Sequence, residues 1–289
     1  MADAGADREE DSMKIAVASG KGGTGKTTVA VSLALSWDSA VTFADCDVEE
    51  PNSQIFLKPD ITASRQFSLQ IPAIDEEKCN YCGKCREICR FNAITIFGKT
   101  IMSFPDMCHS CGGCFLVCDQ GAIREAKRTV GTVEWGMAKE MAFFQGRLRV
   151  GEAMSSPLIK EVKKQAENSQ TDLTVLDAPP GTSCPVIKTV RDTNFVVLVA
   201  EPTPFGLHDL KLAASTIATL NIPMGVVINK SGLGDNSVEN WCKDHGIPVL
   251  MNIPFSRAAA EAYATGRPLV ELQPELKTGF KRIIEEISQ

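Results

Sequence analysis

The sequence predicts a doubly wound α/β fold with a mostly parallel sheet, into which a small α+β domain is inserted. Short apolar runs that are typical of buried strands alternate with helix-like segments along most of the chain, as they do in parallel sheets covered by helices. A glycine-rich turn joins the first strand to the first helix, and a repeated cysteine pattern occupies the middle of the chain. The alternation predicts the main fold, and the cysteine repeat predicts the inserted domain.

The composition is that of a soluble globular protein with an acidic balance. Of the 289 residues 44% are apolar, which is enough for a substantial core, and the formal net charge is -6. We expect no broad nucleic-acid binding, because a surface that neutralises phosphates needs an excess of Lys and Arg. No apolar run approaches the roughly 18 residues that span a bilayer. The amphipathic helix predicted at 276–287 carries Glu285 and Glu286 rather than a basic face, so we expect it to pack against the domain and not on a membrane.

The first residues and the cysteines indicate the cell compartment. Residues 1–12 are acidic and lack the basic and apolar segments of a signal peptide, and we predict a disordered tail there. Without an export signal, eleven cysteines are expected to serve as metal ligands rather than as disulfides. These observations predict a cytoplasmic protein.

Residues 20–28, Gly-Lys-Gly-Gly-Thr-Gly-Lys-Thr-Thr, form a pattern typical of a phosphate-binding turn. Successive backbone N–H groups of such a turn point at an anion, and the N-terminal end of the next helix adds partial positive charge. Lys26 would reach the outer phosphates, and the Thr27 hydroxyl would ligate Mg²⁺. The predicted phosphate-binding set is Gly20, Gly22, Gly23, Thr24, Gly25, Lys26, Thr27 and Thr28.

Polar residues follow several predicted strands, where open α/β sheets bind their ligands. Asp47 follows the second strand, and Asp177 ends a later one. Asn229 and Pro254 lie at the ends of the last two predicted strands. The local composition around Asp47 is equally typical of a surface turn, so this pattern alone leaves its role open.

The glycine turn contains a second lysine, Lys21, which phosphate binding through Lys26 does not need. With this lysine, residues 20–28 resemble the deviant Walker A motif of the MinD/ParA/Mrp superfamily of P-loop ATPases, which includes the nitrogenase iron protein. The resemblance implies ATP-dependent dimerisation, as a homodimer or with a paralogue, in which Lys21 touches the nucleotide of the partner subunit. From the residues alone, a solvated loop lysine is the simpler interpretation.

The resemblance also implies roles for the residues at the strand ends. Asp47 would position the attacking water, Asp177 would hold the Mg²⁺ shell, and Gly181 of the turn Ala-Pro-Pro-Gly would offer its N–H to the terminal phosphate. The Asn229 amide would read the adenine of ATP or ADP, and Pro254 would also contact the nucleotide. The implied catalytic residues are Lys21, Lys26, Asp47 and Asp177.

One cysteine pattern occurs twice, with all four cysteines displaced by the same 29 positions. The duplication extends to other residues, since Gly83 recurs as Gly112 and Ile94 as Ile123. The two sets are Cys79, Cys82, Cys85 and Cys89, and Cys108, Cys111, Cys114 and Cys118. A tetrahedral zinc site has no use for a third cysteine at this close spacing, and disulfides are not expected in a reducing compartment.

This repeat resembles the bacterial ferredoxin with two [4Fe-4S] clusters. In that pattern three closely spaced thiolates bind one cluster, and the fourth ligand comes from the other half of the repeat. The resemblance assigns one cluster to Cys79, Cys82, Cys85 and Cys118, and the other to Cys89, Cys108, Cys111 and Cys114.

Two predicted strands flank the cysteine repeat. Residues 65–74 alternate between apolar and polar, and residues 129–135 predict a strand that returns beside them. Such a pair brings the two ends of an insert together, as a tolerated domain insertion requires. We therefore predict a ferredoxin domain at 74–129, inserted between the two parts, 13–73 and 130–289, of the ATPase domain.

Two further cysteines bear on the function. Cys184 follows Asp177 at an offset similar to that of a cluster ligand in the nitrogenase iron protein, where two subunits share a cluster. The second ligand of that protein has no counterpart here, so a small packed side chain is the simpler interpretation and a bridging cluster the alternative. Cys242 stands alone, so the C-terminal Cys-x2-Cys of Mrp-type carriers is missing.

These motifs predict an iron–sulfur protein that binds and hydrolyses ATP, with a dimerisation switch coupled to a ferredoxin module. The switch would gate electron transfer or serve redox-linked regulation, together with an unidentified redox or regulatory protein partner. A MinD/ParA-type positioning ATPase and an Mrp-like cluster carrier are the alternatives.

Overall fold

The computed structural model describes residues 12–288, so the predicted tail lies almost wholly outside the described residues. The chain forms two units, each with its own internal contacts. The first comprises the chain up to Ser64, Val133–Arg147 and Ser155 onward, and the second comprises Arg65–Thr132 and Leu148–Met154.

Strands and helices alternate over most of the chain. The strands are β1 (Met13–Ala18), β2 (Val41–Asp45), β3 (Asp60–Ile74), β4 (Ile94–Phe97), β5 (Thr100–Ser103), β6 (Ile123–Ala138), β7 (Met141–Leu148), β8 (Leu173–Asp177), β9 (Phe195–Ala200), β10 (Met224–Ser231) and β11 (Val249–Pro254). The helices are α1 (Lys26–Ser36), α2 (Ser53–Leu57), α3 (Lys84–Ile88), α4 (Gly113–Leu116), α5 (Ser156–Ala166), α6 (Cys184–Val190), α7 (Pro204–Ala218), α8 (Ser237–Asp244), α9 (Arg257–Ala264), α10 (Leu269–Leu272) and α11 (Glu275–Ile287).

A nine-stranded sheet has the order β11-β10-β9-β1-β8-β2-β7-β6-β3. Its inner pairs are parallel: β1 pairs with β8 and β9, β2 with β7 and β8, and β10 with β9 and β11. The chain extends the sheet on both sides of β1, which places a topological switch point beside this strand. The predicted doubly wound, mostly parallel fold is confirmed.

The register of the central strands aligns their carboxyl ends. Asp177 of β8 lies opposite Val17 of β1 and opposite Asp45 of β2. The glycine turn follows β1 directly, so the turn and two acidic residues meet at one edge of the sheet.

The central strands are mostly apolar because both of their faces are covered. Ile15, Val17 and Val197 are fully buried in one large core. The C-terminal helix α11 adds Phe280 and Ile283 to the same core, which confirms that this helix packs against the domain. None of the helices in the described part of the chain is long and apolar enough to cross a membrane.

The second unit contains the cysteine repeat and has a small core of its own. Its two-stranded antiparallel sheet pairs β4 with β5, and Cys85, Ile94 and Ile101 form a separate buried cluster. The sheet order places β6 beside β3, as predicted. The unit contains all of the predicted insert 74–129, and it also includes 65–73, 130–132 and Leu148–Met154, which the sequence analysis assigned to the ATPase domain.

The two halves of the cysteine repeat share their backbone conformation at matching positions. Tyr81 and Ser110 have positive φ angles of 56° and 54°, and Gly83 and Gly112 have 84° and 78°. Helices α3 and α4 begin directly after these two glycines. The duplication in the sequence is therefore also a duplication of the structure.

We predict that Phe280→Ala destabilises the chain by about 3–5 kcal/mol, because the ring is fully buried and its loss leaves a cavity under α11. Urea unfolding followed by circular dichroism measures this change. Glu286→Ala, at an exposed position of the same helix, is the control and should change stability by less than about 0.5 kcal/mol. Equal effects of the two substitutions would show that α11 does not contribute to the core.

Candidate nucleotide site and cysteine clusters

The glycine turn between β1 and α1 adopts a conformation that requires its glycines. Gly23 and Gly25 have φ angles of 79° and 91°, in the left-handed region that side chains rarely adopt. A Cβ atom on Gly25 would lie 2.2 Å from Nδ2 of Asn229, and one on Gly20 would lie 2.2 Å from the carbonyl oxygen of Asp209. The turn is therefore packed closely against β10 and α7.

A cavity of about 380 Å³ lies beside this turn. One wall is apolar and includes Phe56 and Tyr263, whose ring centroids are 4.7 Å apart. The residues predicted to bind nucleotide that line the cavity are Gly22, Gly23, Gly25, Lys26, Thr27, Thr28, Asp47, Asn229 and Pro254. The structure thus brings together predicted residues from the turn and from the ends of three strands.

Lys26 lies between two acidic side chains at the base of the site. Its Nζ atom is 3.9 Å from Oδ2 of Asp47 and 3.8 Å from Oδ1 of Asp177. Asp177 is fully buried, and neither of its carboxylate oxygens has a hydrogen-bond partner among the described residues. Burial raises the pKa of Asp177, an effect that the nearby Lys26 and Thr27 oppose. A buried carboxylate with free oxygens next to a threonine hydroxyl is a fitting ligand set for Mg²⁺.

Asp45 is a buried acid of the site that the sequence analysis did not single out. Its carboxylate accepts hydrogen bonds from the Ser53 hydroxyl at 2.5 Å, the Ser53 N–H at 3.1 Å and the Asp47 N–H at 3.1 Å. It therefore fixes the segment that carries Asp47. Burial, with the charge of Asp177, raises the pKa of Asp45 to about 7. Its position at the end of β2 was the signal that could have identified it.

The pKa of Asp47 is also raised, to about 6. Burial is the main cause, the charge of Asp177 adds to it, and the charge of Lys26 opposes it. Three carboxyl groups thus share the site with Lys26, which indicates a site that is short of positive charge.

Two predicted nucleotide contacts are engaged within the protein. The Gly181 N–H donates to the carbonyl oxygen of Ser19 at 3.0 Å. To bind a phosphate, this N–H would first have to break its hydrogen bond to Ser19. The Asn229 amide donates to the carbonyl oxygen of Thr24 at 2.7 Å and accepts from the Lys230 N–H at 2.9 Å. Asn229 therefore supports the glycine turn, and its Nδ2 retains one further hydrogen for a ligand.

Lys21 forms an ion pair at 3.3 Å with Glu201, a residue that the sequence analysis did not single out. Glu201 also pairs with Lys230 at 2.5 Å. Burial alone would raise the pKa of Glu201, but the hydrogen bonds and charges of Lys230 and Lys21 outweigh it and hold the pKa below its usual value. Lys230 lines the cavity, whereas Lys21 and Glu201 do not.

The eight cysteines of the repeat line two separate cavities. One, of about 70 Å³, is lined by Cys79, Cys82, Cys85 and Cys118. The other, of about 20 Å³, is lined by Cys89, Cys108, Cys111 and Cys114. Each cavity thus receives three cysteines from one half of the repeat and one from the other, in the same grouping as the predicted ligand sets.

The sulfur atoms accept hydrogen bonds from the backbone. The N–H groups of Tyr81 and Ser110 donate to Sγ of Cys79 and Cys108, each at 3.4 Å, at equivalent positions of the two repeats. Hydrogen bonds of this kind stabilise the thiolates that hold iron–sulfur clusters. The residues present therefore fit two such clusters.

Burial and neighbouring thiols raise the pKa of one cysteine in each cavity. Burial is the larger cause for Cys85, followed by the charges of Cys79 and Cys82. Burial, then mainly the charge of Cys108, raises the pKa of Cys114 to about 11. Bound iron would offset this cost, because it neutralises the thiolates that it binds.

The arrangement of the cysteines bears on whether they bind a cluster or a single metal ion. Among residues 12–288, no three His, Cys, Asp or Glu side chains come close enough together to hold one ion. A zinc ion needs all its ligands around one centre, whereas each thiolate of a [4Fe-4S] cluster binds a different iron. Three closely spaced cysteines in each half of the repeat are typical of a cluster and not of a zinc site.

The other three cysteines lie apart from these sets. Cys46 and Cys242 are fully buried, and burial raises the pKa of both thiols. Cys184 is exposed at the first position of α6. The interpretation of Cys184 as a small packed side chain is therefore wrong for this structure.

The fold and the glycine-turn cavity define a nucleotide-binding α/β protein, and comparison with known proteins gives the family. Residues 15–269 match the family described as the CobQ/CobB/MinD/ParA nucleotide binding domain. The chain therefore belongs to this family.

Relatives and solved structures agree with this assignment. An uncharacterized protein of Methanocaldococcus jannaschii, MJ0578, is 30% identical over 96% of this chain and 97% of its own length. The iron-sulfur cluster carrier protein of Aquifex aeolicus is 25% identical over 95% of this chain and 67% of its own length. The septum site-determining protein MinD of Pyrococcus horikoshii, solved with Mg-ADP, has a TM-score of 0.59 at 18% identity, covering 96% of each chain, and shows the same fold.

We predict that the nucleotide-free chain becomes less stable as the pH rises from 5 to 8. Burial raises the pKa of Asp45 from 3.8 to about 7, so between these values the folded chain binds a proton that the unfolded chain releases. The resulting stabilisation is complete below about pH 4 and is lost as the pH rises through 7. Thermal midpoints measured without Mg²⁺ at several pH values test this expectation.

Asp45→Asn should flatten that pH dependence, because the amide does not ionise. Asp172→Asn is the matched control, since Asp172 is exposed and precedes β8 at the opposite edge of the sheet. An unchanged slope in Asp45→Asn would show that Asp45 does not titrate in this range.

Proposed function

We propose that the chain is an ATP-hydrolysing iron–sulfur protein in which ATP-dependent dimerisation controls a module with two [4Fe-4S] clusters. The observation that carries the proposal is that one chain contains two kinds of cavity. One is the glycine-turn cavity, with buried carboxyl groups at its bottom, and the other kind is lined by four cysteines and occurs twice. The glycine-turn cavity is suited to a nucleotide with Mg²⁺, and the two cysteine-lined cavities are suited to redox-active clusters.

In the proposed ATPase site each residue has a distinct task. The N–H groups of the glycine turn and Lys26 neutralise the phosphates, and Thr27 and Asp177 hold Mg²⁺. Bound Mg²⁺ neutralises charge on the phosphate oxygens. Asp47 orients the attacking water, and with a pKa of about 6 it is mostly ionised at neutral pH and able to accept a hydrogen bond from that water. Gly181 donates its N–H to the terminal phosphate after leaving Ser19.

The dimerisation step involves Lys21, which does not line the cavity of its own chain. We propose that it binds phosphate in the site of a second subunit, either an identical chain or a paralogue. Hydrolysis to ADP removes the terminal phosphate, weakens this contact and releases the dimer. The cycle would thereby change the docking or exposure of the cluster module.

The module would hold one cluster with Cys79, Cys82, Cys85 and Cys118, and the other with Cys89, Cys108, Cys111 and Cys114. Each cluster supplies one-electron redox chemistry. Cys82 and Cys111 are exposed, so each proposed cluster reaches the protein surface through one ligand. This favours gated electron transfer or redox-linked regulation with a protein partner that docks there.

Cluster delivery is the second candidate, because relatives of the chain are named iron-sulfur cluster carrier proteins. Delivery needs a labile site. The lone Cys242 is fully buried and does not provide one, so we rank this function below electron transfer. The exposed Cys184 would have to pair with the same residue of a second subunit to hold a bridging cluster.

A MinD/ParA-type positioning role, using the clusters to sense redox state or dock a partner, is a further alternative that the fold supports.

We predict that Lys26→Ala abolishes ATP binding, whereas Lys21→Ala retains binding in the monomer but loses dimerisation and slows hydrolysis about 100-fold or more. The reason is that each lysine neutralises phosphate charge, Lys26 in its own site and Lys21 in the partner's. Anaerobic sedimentation with a non-hydrolysable ATP analogue, and phosphate release, measure the two effects. If Lys21→Ala dimerised and hydrolysed ATP normally, Lys21 would be only a solvated loop residue with no role in the partner's site.

The cluster ligand sets predict a specific pattern of iron loss. The anaerobically purified chain should contain about eight iron atoms, and Cys118→Ala about four, because one cluster is lost. Adding Cys79→Ala to Cys118→Ala should cost no more iron, whereas adding Cys108→Ala should remove the remaining cluster. Cys242→Ala is the control and should keep full iron content.

Iron analysis with electron paramagnetic resonance of the reduced protein distinguishes these outcomes. If the Cys118/Cys108 pair retained one cluster and the Cys118/Cys79 pair none, the crossed ligand assignment would be wrong. Iron well above eight per chain that falls in Cys184→Ala would instead establish a bridging cluster.

Gated electron transfer makes its own prediction. With reduced clusters and a partner captured anaerobically, electrons should reach the partner only during ATP turnover, and not with ADP or in Lys26→Ala. A small dye acceptor is the control, and it should oxidise the clusters at the same rate with or without nucleotide. Equal rates to the partner without nucleotide would rule out gating.

A further inference from the structure

Glu201 is a mostly buried carboxylate beside the glycine turn that the proposed chemistry does not use. Its two oxygens pair with different lysines, Oε2 with Lys21 at 3.3 Å and Oε1 with Lys230 at 2.5 Å. Only 14% of the Glu201 side chain is exposed, against 34% for Lys21 and 38% for Lys230. One anion therefore holds two cations.

Lys230 fixes the carboxylate independently of Lys21. Its Nζ atom also donates to the carbonyl oxygen of Gly23 at 3.2 Å, and its backbone is held in the left-handed region with a φ angle of 57°. The Glu201 carbonyl accepts from the Thr203 N–H at 2.8 Å, which anchors the residue at the start of α7. When Lys21 leaves, Glu201 keeps one lysine partner and no buried charge is left unpaired. Of the two lysines, Lys21 is therefore the one that can leave Glu201.

We infer that Glu201 is a positioning residue that holds Lys21 on its own subunit in the nucleotide-free chain and so opposes ATP-dependent dimerisation. The inference rests on the proposed function, in which Lys21 must reach the phosphates bound by the partner subunit. Because those phosphates lie in the site of the partner subunit and Lys21 does not line the cavity of its own chain, we expect Lys21 to leave Glu201 when it reaches them. Dimerisation therefore requires Lys21 to exchange a carboxylate for a phosphate, and Glu201 sets the nucleotide and protein concentrations at which this exchange occurs.

The size of the effect follows from the exposure of the pair. Lys21 is one-third exposed, so water screens its attraction to Glu201, and an ion pair of this kind shifts an equilibrium by about two- to fivefold. Each dimer contains two such pairs, and both must break. Higher salt should reduce the effect, because it screens exposed charges.

Glu201→Gln tests the inference, since it removes the charge while keeping the size of the side chain. Glu167→Gln is the matched control. Glu167 pairs with Lys14 at 3.4 Å, nearly the same distance, and Lys14 lies at the opposite end of β1 from the glycine turn. Glu167→Gln loses one lysine–glutamate pair next to the same strand, whereas Glu201→Gln loses the pairs with both Lys21 and Lys230.

The first readout is the rate at which each lysine of the nucleotide-free monomer is acetylated by a small reagent, measured by mass spectrometry. In Glu201→Gln the rate at Lys21 should rise about two- to fivefold while that at Lys14 stays constant, and in Glu167→Gln the reverse should hold. A general loosening of the fold would raise both rates together. An unchanged rate at Lys21 in Glu201→Gln would overturn the inference.

The second readout is the dissociation constant of the dimer formed with a non-hydrolysable ATP analogue, measured by anaerobic sedimentation of the cluster-loaded chain. It should fall at least two- to fivefold in Glu201→Gln and stay unchanged in Glu167→Gln. If the wild-type chain dimerises and Glu201→Gln has the same or a weaker dimer, only this inference fails. If the wild-type chain stays monomeric with the analogue, the proposed function fails and the inference fails with it.

Discussion

The burial of three carboxyl groups, two of which pair with Lys26, is the constraint on which the nucleotide site depends. The parallel register of β1, β2 and β8 places Asp45 and Asp177 at one level, directly beside the glycine turn. Burial raises the pKa of Asp45 to about 7 and that of Asp47 to about 6, because charged groups lose solvation there. The site therefore lacks positive charge without a ligand, and a divalent cation is the group that would supply it.

The group of Lys21, Lys230 and Glu201 beside the glycine turn has the opposite balance of charge. There Lys21 and Lys230 share the single carboxylate of Glu201, so cations outnumber anions. In the proposed dimer Lys21 would leave this group for the phosphates of the partner's site, which gives a physical reason for coupling nucleotide binding to a rearrangement of Lys21.

The cysteine unit is built on a different principle, which is duplication. Gly83 and Gly112 precede helices α3 and α4 with nearly equal positive φ angles, and N–H groups at equivalent positions donate to Cys79 and Cys108. Each cavity combines cysteines of both repeats, so neither half of the unit completes a site alone. The family match, over residues 15–269, spans the cysteine repeat as well as the nucleotide-binding part.

The sequence by itself determined the fold class, the glycine turn and the cysteine repeat, because periodicity, glycine spacing and the 29-residue displacement can be read directly from it, whereas the grouping of the cysteines into ligand sets came from the resemblance to ferredoxins. Only the tertiary structure decided which side chains meet. It showed that Asp45 fixes the segment carrying Asp47, that Asn229 supports the turn, and that Lys21 pairs with Glu201. The contacts of Asn229 and Glu201 join residues that lie far apart in the sequence, and burial sets the charge of Asp45, so no local pattern encodes them. The glycine turn is thus stabilised by hydrogen bonds and ion pairs to residues that lie far from it in the sequence.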